Sequence, residues 1–278
     1  MDKHPIEQGI ADVVRTYELL DRIRLGRDIS VRDDQFAREA LFDAAREARG
    51  RGIRLNLVDT GRFEPSDVEW LAGEKVRFYS SDEARPRPDE LARILLACRR
   101  ARSYLAYFQN GPLAADPGPA SLPLAAIESL VSSGMDLHLS NRAAARDAAA
   151  LGRLAEAARE GRSFLVYYHH GPLEEALAGL AARGAWLHFS DKSLPDAGAV
   201  ELGLEMARSA LGAGSRAVVT VERGLALADL ERFFGDGAAV LFQTPPPDDA
   251  SLLRPFERKA RLRRLPARAY YLTTTFLP

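Results

Sequence analysis

The chain has 278 residues, of which 46% are hydrophobic and 28% are charged, a composition typical of a folded globular protein and not of a disordered one. Its 38 Lys and Arg residues are balanced by 39 Asp and Glu residues, so the formal net charge is -1. This near-neutral total removes any whole-protein electrostatic argument for binding to nucleic acid or to an anionic membrane.

The cysteine content and the hydropathy pattern predict a cytoplasmic location. Cys98 is the single cysteine and lies in an apolar pattern with helical spacing, which predicts a buried structural thiol. One thiol cannot form an internal disulfide, and a reducing compartment is therefore permitted. The N-terminus lacks the layout of a signal peptide, and no apolar run approaches the ~18 residues that a membrane-spanning helix needs.

The first part of the chain is predicted to be helical. Residues 1–26 carry apolar side chains at helical spacing, which are Ile10, Val13, Val14, Tyr17 and Leu20. Residues 28–34 are predicted to form a loop, and a second helical pattern runs from Phe36 to Ala48. We therefore expect residues 1–52 to form N-terminal helices that pack on the remainder, residues 53–278, within one domain.

The central part of the chain is internally similar. The segment Ser103–Leu113, SYLAYFQNGPL, matches Ser163–Leu173, SFLVYYHHGPL, in character along its whole length. Each is followed by a short helical pattern and then by a second matched pair, Gly134–Arg142, GMDLHLSNR, and Gly184–Lys192, GAWLHFSDK. Two linked similarities in the same order indicate a repeated strand–helix–strand–helix unit.

Weaker copies flank these two units. Residues 53–58 and 76–80 form an earlier pair, and residues 217–222 and 238–243 form a later one. We call the first strand of each pair an A strand and the second a B strand. Four such A–B units run from about residue 53 to about residue 266, with short helices after A strands and longer helices after B strands.

Strands that alternate with helices predict parallel pairing through right-handed crossovers. Eight such strands favour a TIM-like (β/α)8 barrel built from four βαβα units, with an N-terminal helix added. The C-terminal segment Ala269–Phe276 predicts an extra strand. The alternative is an open α/β repeat horseshoe.

Polar side chains alternate with apolar ones along the predicted strands. If the leucines face the helices, a polar set faces the opposite side of the sheet: Arg54, Asn56, Arg77, His138, His188, Thr220 and Glu222. One interpretation is a mainly cationic cavity that binds an anionic metabolite. The other is a structural hydrogen-bond network, repeated because the unit was duplicated.

The carboxyl ends of the strands are the usual location of barrel active sites. There we expect His170 and Glu222 to act as proton carriers. Ligand binding is assigned to the remaining candidates, Arg54, Asn56, Arg77, His138, His188 and Asp191. No metal is predicted, because the one conceivable ligand set, His170, Asp191 and Glu222, lacks any known ligand spacing. The sequence identifies no cofactor and no reaction.

Two functions therefore compete at the level of sequence. The first is a small-molecule enzyme or binding protein for an anionic metabolite, and the second is a non-catalytic repeat protein that acts in protein–protein interaction. A basic stretch between Arg254 and Arg268 is predicted to be a solvated helix face and not a nucleic-acid site. Assembly into a homo-oligomer is compatible with either function.

Overall fold

The computed structural model describes residues 15–118, 121–142, 144–242 and 268–271. The chain divides into two compact units. The first comprises Met1–Leu137 and Gly161–Ser163, and the second comprises His138–Glu160 and Phe164–Pro278. Each unit alternates β-strands with α-helices.

Strands and helices follow one another in a regular order. The strands are β1 (Ile29–Arg32), β2 (Leu55–Val58), β3 (Arg77–Ser81), β4 (Tyr104–Gln109), β5 (Asp136–Ser140), β6 (Leu165–Tyr168), β7 (Trp186–Ser190), β8 (Ala217–Val221), β9 (Ala239–Phe242) and β10 (Arg268–Tyr271). The helices are α1 (Thr16–Arg24), α2 (Arg38–Arg51), α3 (Pro65–Gly73), α4 (Pro88–Ala101), α5 (Leu124–Ser132), α6 (Ala148–Gly161), α7 (Glu175–Ala182), α8 (Ala197–Gly212) and α9 (Leu227–Gly235).

Within the described residues, nine strands form parallel ladders with their neighbours in the chain, β1 to β4 in the first unit and β6 to β10 in the second. The protein is therefore an α/β protein in which parallel strands alternate with helices, as the sequence predicts. A (β/α)8 barrel and an open horseshoe both require this sequential order, so closure of the sheet stays a prediction.

Short and long helices alternate, and this confirms the predicted pattern. The helices after A strands, α3, α5, α7 and α9, have eight or nine residues. Those after B strands, α4, α6 and α8, have 14 to 16 residues, and α2, which follows β1, has 14. Local sequence fixes some of their ends: Pro65 and Pro88 begin α3 and α4, and Gly52 closes α2 with a left-handed φ of 70°.

In the first unit the strands have one apolar and one polar side. Leu57, Phe78 and Leu105 pair in register and are at most 3% exposed. Because successive side chains point to opposite sides of a strand, the residues between them share the other side. We call this side the polar face of the first unit; with Val58 and Ala106 it carries Ser30, Asn56, Arg77, Tyr79 and Tyr104.

The second unit has the same division. On one side Leu187 and Phe189 are at most 3% exposed, and the ring of Phe189 lies 6.3 Å from that of Phe233 on α9. The helices therefore cover this side. The opposite side, which we call the polar face of the second unit, carries His138, Tyr168, His188, Ser190 and Thr220.

The N-terminal predictions are partly wrong. Residues 28–34 were predicted to form a loop, but they contain β1, which pairs in parallel with β2. The strand is only four residues long and is flanked by Asp28 and Asp33, so its strand pattern is weak. In α1 the buried residues are Leu19 and Ile23, whereas Tyr17 is 54% exposed.

The ends of the chain are described only in part. Ile10, Val13 and Val14 of the predicted apolar face lie outside the described residues, as does most of the basic stretch that ends at Arg268. The predicted C-terminal strand is confirmed over its first residues, since β10 pairs in parallel with β9. No helix in the described ranges is long and apolar enough to cross a membrane.

An Asp or Asn that directly follows β1 or a B strand holds the loop after the next A strand. We call Asp33, Asp82, Asn141 and Asp191 the strand-end acceptors. Their side-chain oxygens accept backbone N–H groups of Thr60, Gly111, His170 and Glu222 at 3.1, 2.6, 2.8 and 3.0 Å. These bonds give loop N–H groups an acceptor that neither the sheet nor a helix supplies.

A buried bidentate ion pair supports the same end of the first unit. Nε and Nη2 of Arg85 donate to the two carboxylate oxygens of Asp59 at 2.9 and 3.0 Å, and the two side chains are 4% and 2% exposed. The hydroxyl of Ser80 also donates to Asp59, at 2.8 Å. The hydroxyl of Tyr107 donates to the carbonyl oxygen of Arg85 at 3.0 Å.

Replacement of Arg85 by Met should lower the free energy of unfolding by about 3–5 kcal/mol, because Asp59 would then keep a buried charge without its cation. Urea denaturation followed by circular dichroism measures the loss. Arg87→Met is the matched control, since Arg87 is exposed and forms ion pairs with Asp89 and Glu90. Equal losses in the two variants would contradict the role assigned to the buried pair.

Candidate functional site

The predicted site residues divide between the two units. Arg54, Asn56 and Arg77 belong to the first unit. The second unit contains the remaining five, which are His138, His170, His188, Asp191 and Glu222. Each group has its own surroundings.

In the first unit, two of the three predicted residues lie on the polar face. The amide of Asn56, which is 7% exposed, donates to the hydroxyl of Ser30 at 3.0 Å. The guanidinium of Arg77 lies 5.7 Å from the ring centre of Tyr104. Arg54 departs from the prediction of an interior position, because it precedes β2 at the amino end and its side chain is 61% exposed beside Asp28.

Tyr79 is a residue of this face that the prediction left out of the site. It is 5% exposed, and burial raises the pKa of its phenol to about 12, although Arg77 donates a hydrogen bond to it and lowers the pKa. When the B strands are aligned, Tyr79 occupies the position of His138 and His188. The alternation of side chains that selected the two histidines also selects Tyr79.

Three rings form a contiguous cluster on the polar face of the second unit. Nδ1 of His138 lies 3.1 Å from the hydroxyl oxygen of Tyr168, within hydrogen-bond distance. The ring of Tyr168 is centred 4.7 Å from the ring of His188 and 5.9 Å from that of His138. The structure thus brings together both predicted histidines through Tyr168, which the prediction did not assign to the site.

Burial is uneven on the polar face of the second unit. His138 and His188 are 7% and 6% exposed, whereas Val218 on the same face is 0% exposed. Tyr168, Ser190 and Thr220 are half-buried. A solute that reaches this face would therefore meet hydroxyl and imidazole groups.

The adjacent histidines after β6 have different environments. His169 is 6% exposed, and its Nε2–H donates to the carbonyl oxygen of Pro172 at 2.7 Å. Asn141 accepts the backbone N–H of His170 and donates to its carbonyl oxygen, both at 2.8 Å. His169 is thereby held under the loop, while the side chain of His170 is exposed, as the strand alternation predicts.

His170 lies in a positive environment. Partial burial, the guanidinium of Arg142 and the neighbouring His169 lower the pKa of its imidazole below the ordinary value of 6.5, while Glu222 acts in the opposite direction. Glu222 itself forms an ion pair with Lys192. The two predicted proton carriers, His170 and Glu222, are therefore close enough to interact electrostatically, with cations beside both.

Asp191, predicted to bind a ligand, is bonded to the loop after β8. Its Oδ1 accepts the N–H of Glu222 at 3.0 Å, and its Oδ2 accepts the N–H groups of Arg223 and Gly224 at 2.8 and 2.9 Å. The side chain also lies on the helix-covered side, since it continues the alternation of Leu187 and Phe189. Asp191 therefore fixes the loop that carries Glu222, and its oxygens point to backbone donors.

In the part of the chain that the structure describes, no three or more His, Cys, Asp or Glu side chains are arranged to hold a metal ion. Cys98 is buried, and burial raises the pKa of its thiol to about 12. The reactive groups of the candidate site are thus imidazole, phenol, hydroxyl, carboxylate and amine.

Comparison with known proteins gives no family for this chain. No protein-family model matches the sequence, and no curated protein matches it. Among solved structures, the chain is similar to deoxyribose phosphate aldolase from Aeropyrum pernix, described as a unique tetrameric structure. The TM-score is 0.30 and the identity 15%, over 93% of this chain and 97% of that chain, and a likeness at this level carries no inference about activity.

Replacement of Asp191 by Ala should accelerate hydrogen exchange at the amides of Glu222, Arg223 and Gly224, since all three lose their acceptor. The associated loss of stability should be about 1–3 kcal/mol. Asp196→Ala is the control, because Asp196 accepts the amide of Ala199 and so caps α8, away from the loop at residues 222–224. Unchanged exchange at residues 222–224 in Asp191→Ala would show that the carboxylate does not hold this loop.

The pKa of His170 should lie below 6.5 in the folded protein and should rise when Arg142 is replaced by Gln, because a nearby positive charge disfavours the imidazolium. Since the unfolded chain binds this proton at higher pH than the folded chain, His170 should lower stability as the pH falls through 6.5. An NMR titration of the histidine ring protons measures the pKa, with His170→Gln for assignment.

The control for this titration is Arg159→Gln, which removes an exposed cation in the last turn of α6. It should leave the titration of His170 unchanged. A His170 pKa that is insensitive to Arg142→Gln, or that moves equally in both variants, would contradict the electrostatic coupling.

Proposed function

We propose that the carboxyl end of the polar face of the second unit binds a small anionic molecule. The observation that carries the proposal is the cluster of His138, Tyr168 and His188 on the side of the sheet opposite Leu187 and Phe189. Ser190 and Thr220 add hydroxyl groups at the same end of the strands. Small-molecule sites commonly combine such aromatic walls with a few polar groups that fix orientation.

The charges around this end favour an anion. Arg142, Lys192 and Arg223 all follow carboxyl ends of strands, and their side chains are exposed. Glu222 lies among them and forms an ion pair with Lys192. A phosphorylated or carboxylated metabolite would therefore gain favourable electrostatic interactions that a neutral one would not.

His170 is the group best placed for proton transfer in this proposal. Its pKa is lowered, so the neutral imidazole predominates at neutral pH and can accept a proton. A bound anion would counter the effect of Arg142 and raise that pKa, so binding would be coupled to proton uptake. Glu222, which forms an ion pair with Lys192, would be the carboxylate that takes part in proton transfer with His170.

The prediction that Asn56 and Arg77 bind a ligand is separate, because both residues belong to the first unit. Their polar face resembles that of the second unit in position but has different partners, Ser30 and Tyr104. The proposal for the second unit does not depend on them.

The proposal predicts that inorganic phosphate or a small carboxylate raises the melting temperature of the whole chain. At about 100 times its dissociation constant, a ligand stabilises the folded state by about 2.7 kcal/mol. The shift should shrink in Arg142→Gln and in Tyr168→Phe, and it should persist in the control Arg159→Gln. Differential scanning fluorimetry against a panel of anions measures it.

A flat response to phosphate and to a broad panel of carboxylates would overturn the proposal. It would favour the alternative, a non-catalytic protein that presents this face to a macromolecular partner. A shift that Arg142→Gln and Arg159→Gln reduce equally would place the anion elsewhere on the protein and would also count against the proposal.

A further inference from the structure

The polar face of the second unit continues towards the amino ends of its strands with a different set of side chains. Phe164, Trp186 and Arg216 stand on the same side as Tyr168, His188 and Thr220, because each lies an even number of residues before its counterpart. The rings of Phe164 and Trp186 have centroids 5.1 Å apart at an interplanar angle of 58°. The guanidinium carbon of Arg216 lies 5.2 Å from the ring centre of Trp186.

Trp186 carries a buried donor for which the described residues provide no acceptor. The side chain is 8% exposed, and its indole Nε1–H has no hydrogen-bond partner among them. Buried tryptophan N–H groups usually find an acceptor, since an unmade bond to a buried donor costs about 1–3 kcal/mol. An acceptor atom supplied by a ligand would remove this cost.

Phe164 is the exposed end of the same row. It is 41% exposed, whereas the aromatic residues of the helix-covered side, such as Phe189, are almost fully buried. Its ring borders Trp186 and offers an apolar surface against which a second ring can pack in an offset or edge-to-face arrangement. Arg216 supplies positive charge at the other end of the row.

We propose that Phe164, Trp186 and Arg216 form a binding site for a planar aromatic anion. The ring of the ligand packs on Phe164, and its carboxylate or phosphate accepts the indole N–H of Trp186 beside the guanidinium of Arg216. The three requirements, a flat ring, an acceptor oxygen and a negative charge, come from three different side chains. This site lies at the opposite end of the strands from the one that contains His170.

The test uses the fluorescence of Trp186 in the whole chain. Trp70 and Trp186 are the two tryptophans of the protein, so Trp70→Phe leaves Trp186 as the only reporter and keeps an aromatic ring against Phe42. The probe is benzoate. Its matched controls are cyclohexanecarboxylate, an anion without an aromatic ring, and benzyl alcohol, an aromatic molecule without a charge.

Benzoate should change the emission of Trp186 saturably, and each matched control should bind at least about tenfold more weakly, a difference of about 1.4 kcal/mol. Arg216→Gln should weaken benzoate binding by about tenfold. Arg208→Gln is the control variant, because Arg208 is an exposed arginine on α8 that pairs with Asp236. It should leave the benzoate affinity unchanged.

Phe164→Leu gives a second route to the same result, since it keeps an apolar side chain and removes the ring. It should weaken benzoate but not change the weak binding of cyclohexanecarboxylate. No saturable response to benzoate, equal responses to the three probes, or unchanged affinity in both Arg216→Gln and Phe164→Leu would overturn the proposal. None of these outcomes depends on phosphate binding at the carboxyl end.

Discussion

The site geometry depends on one kind of hydrogen bond. A loop N–H group donates it to a side-chain oxygen at the end of the neighbouring strand. A loop between a strand and a helix leaves backbone donors that neither element satisfies. Successive strand pairs supply this acceptor at the same place, and the residues are Asp33, Asp82, Asn141 and Asp191. The loops that carry His170 and Glu222 are therefore held through their own backbone N–H groups, and these bonds use neither side chain.

The division of each strand into two sides explains why polar groups collect where they do. On the side that packs against helices, apolar residues such as Leu187 and Val219 are excluded from water. The other side tolerates imidazole, phenol and guanidinium because these groups contact one another and keep partial access to solvent. In the second unit this side changes character along the strands, from the aromatic and cationic row at the amino end to the histidine cluster and hydroxyls at the carboxyl end.

Much of this architecture could be predicted from the sequence, because short β-branched and aromatic runs bounded by Gly, Pro and Asp report strands directly. The strand β1 was missed because four residues between charged neighbours carry little of that signal. Side-chain alternation placed His138, His188 and His170 on the polar side. It would have added Tyr79 and Tyr168 had the same rule been applied to phenols.

Other features have no signal in a single sequence. The match between Asn141 and Asp191 was visible, but residue type alone does not tell whether an oxygen accepts a backbone donor or a ligand. The pairing of Arg85 with Asp59 joins residues 26 positions apart and is determined by packing. The exposure of Arg54 depends on where β2 begins, and strand boundaries are the least certain part of such predictions.

The bonds made by the strand-end acceptors also bear on how the chain folds. The four bonds join residues 27, 29, 29 and 31 positions apart, so the entropy lost in closing each loop is nearly the same. Contacts of this short and uniform range lower the contact order and speed folding. Within either unit, a nucleus can form at any neighbouring pair of strands and grow by addition of the next, as in proteins whose stability is a sum over nearest neighbours.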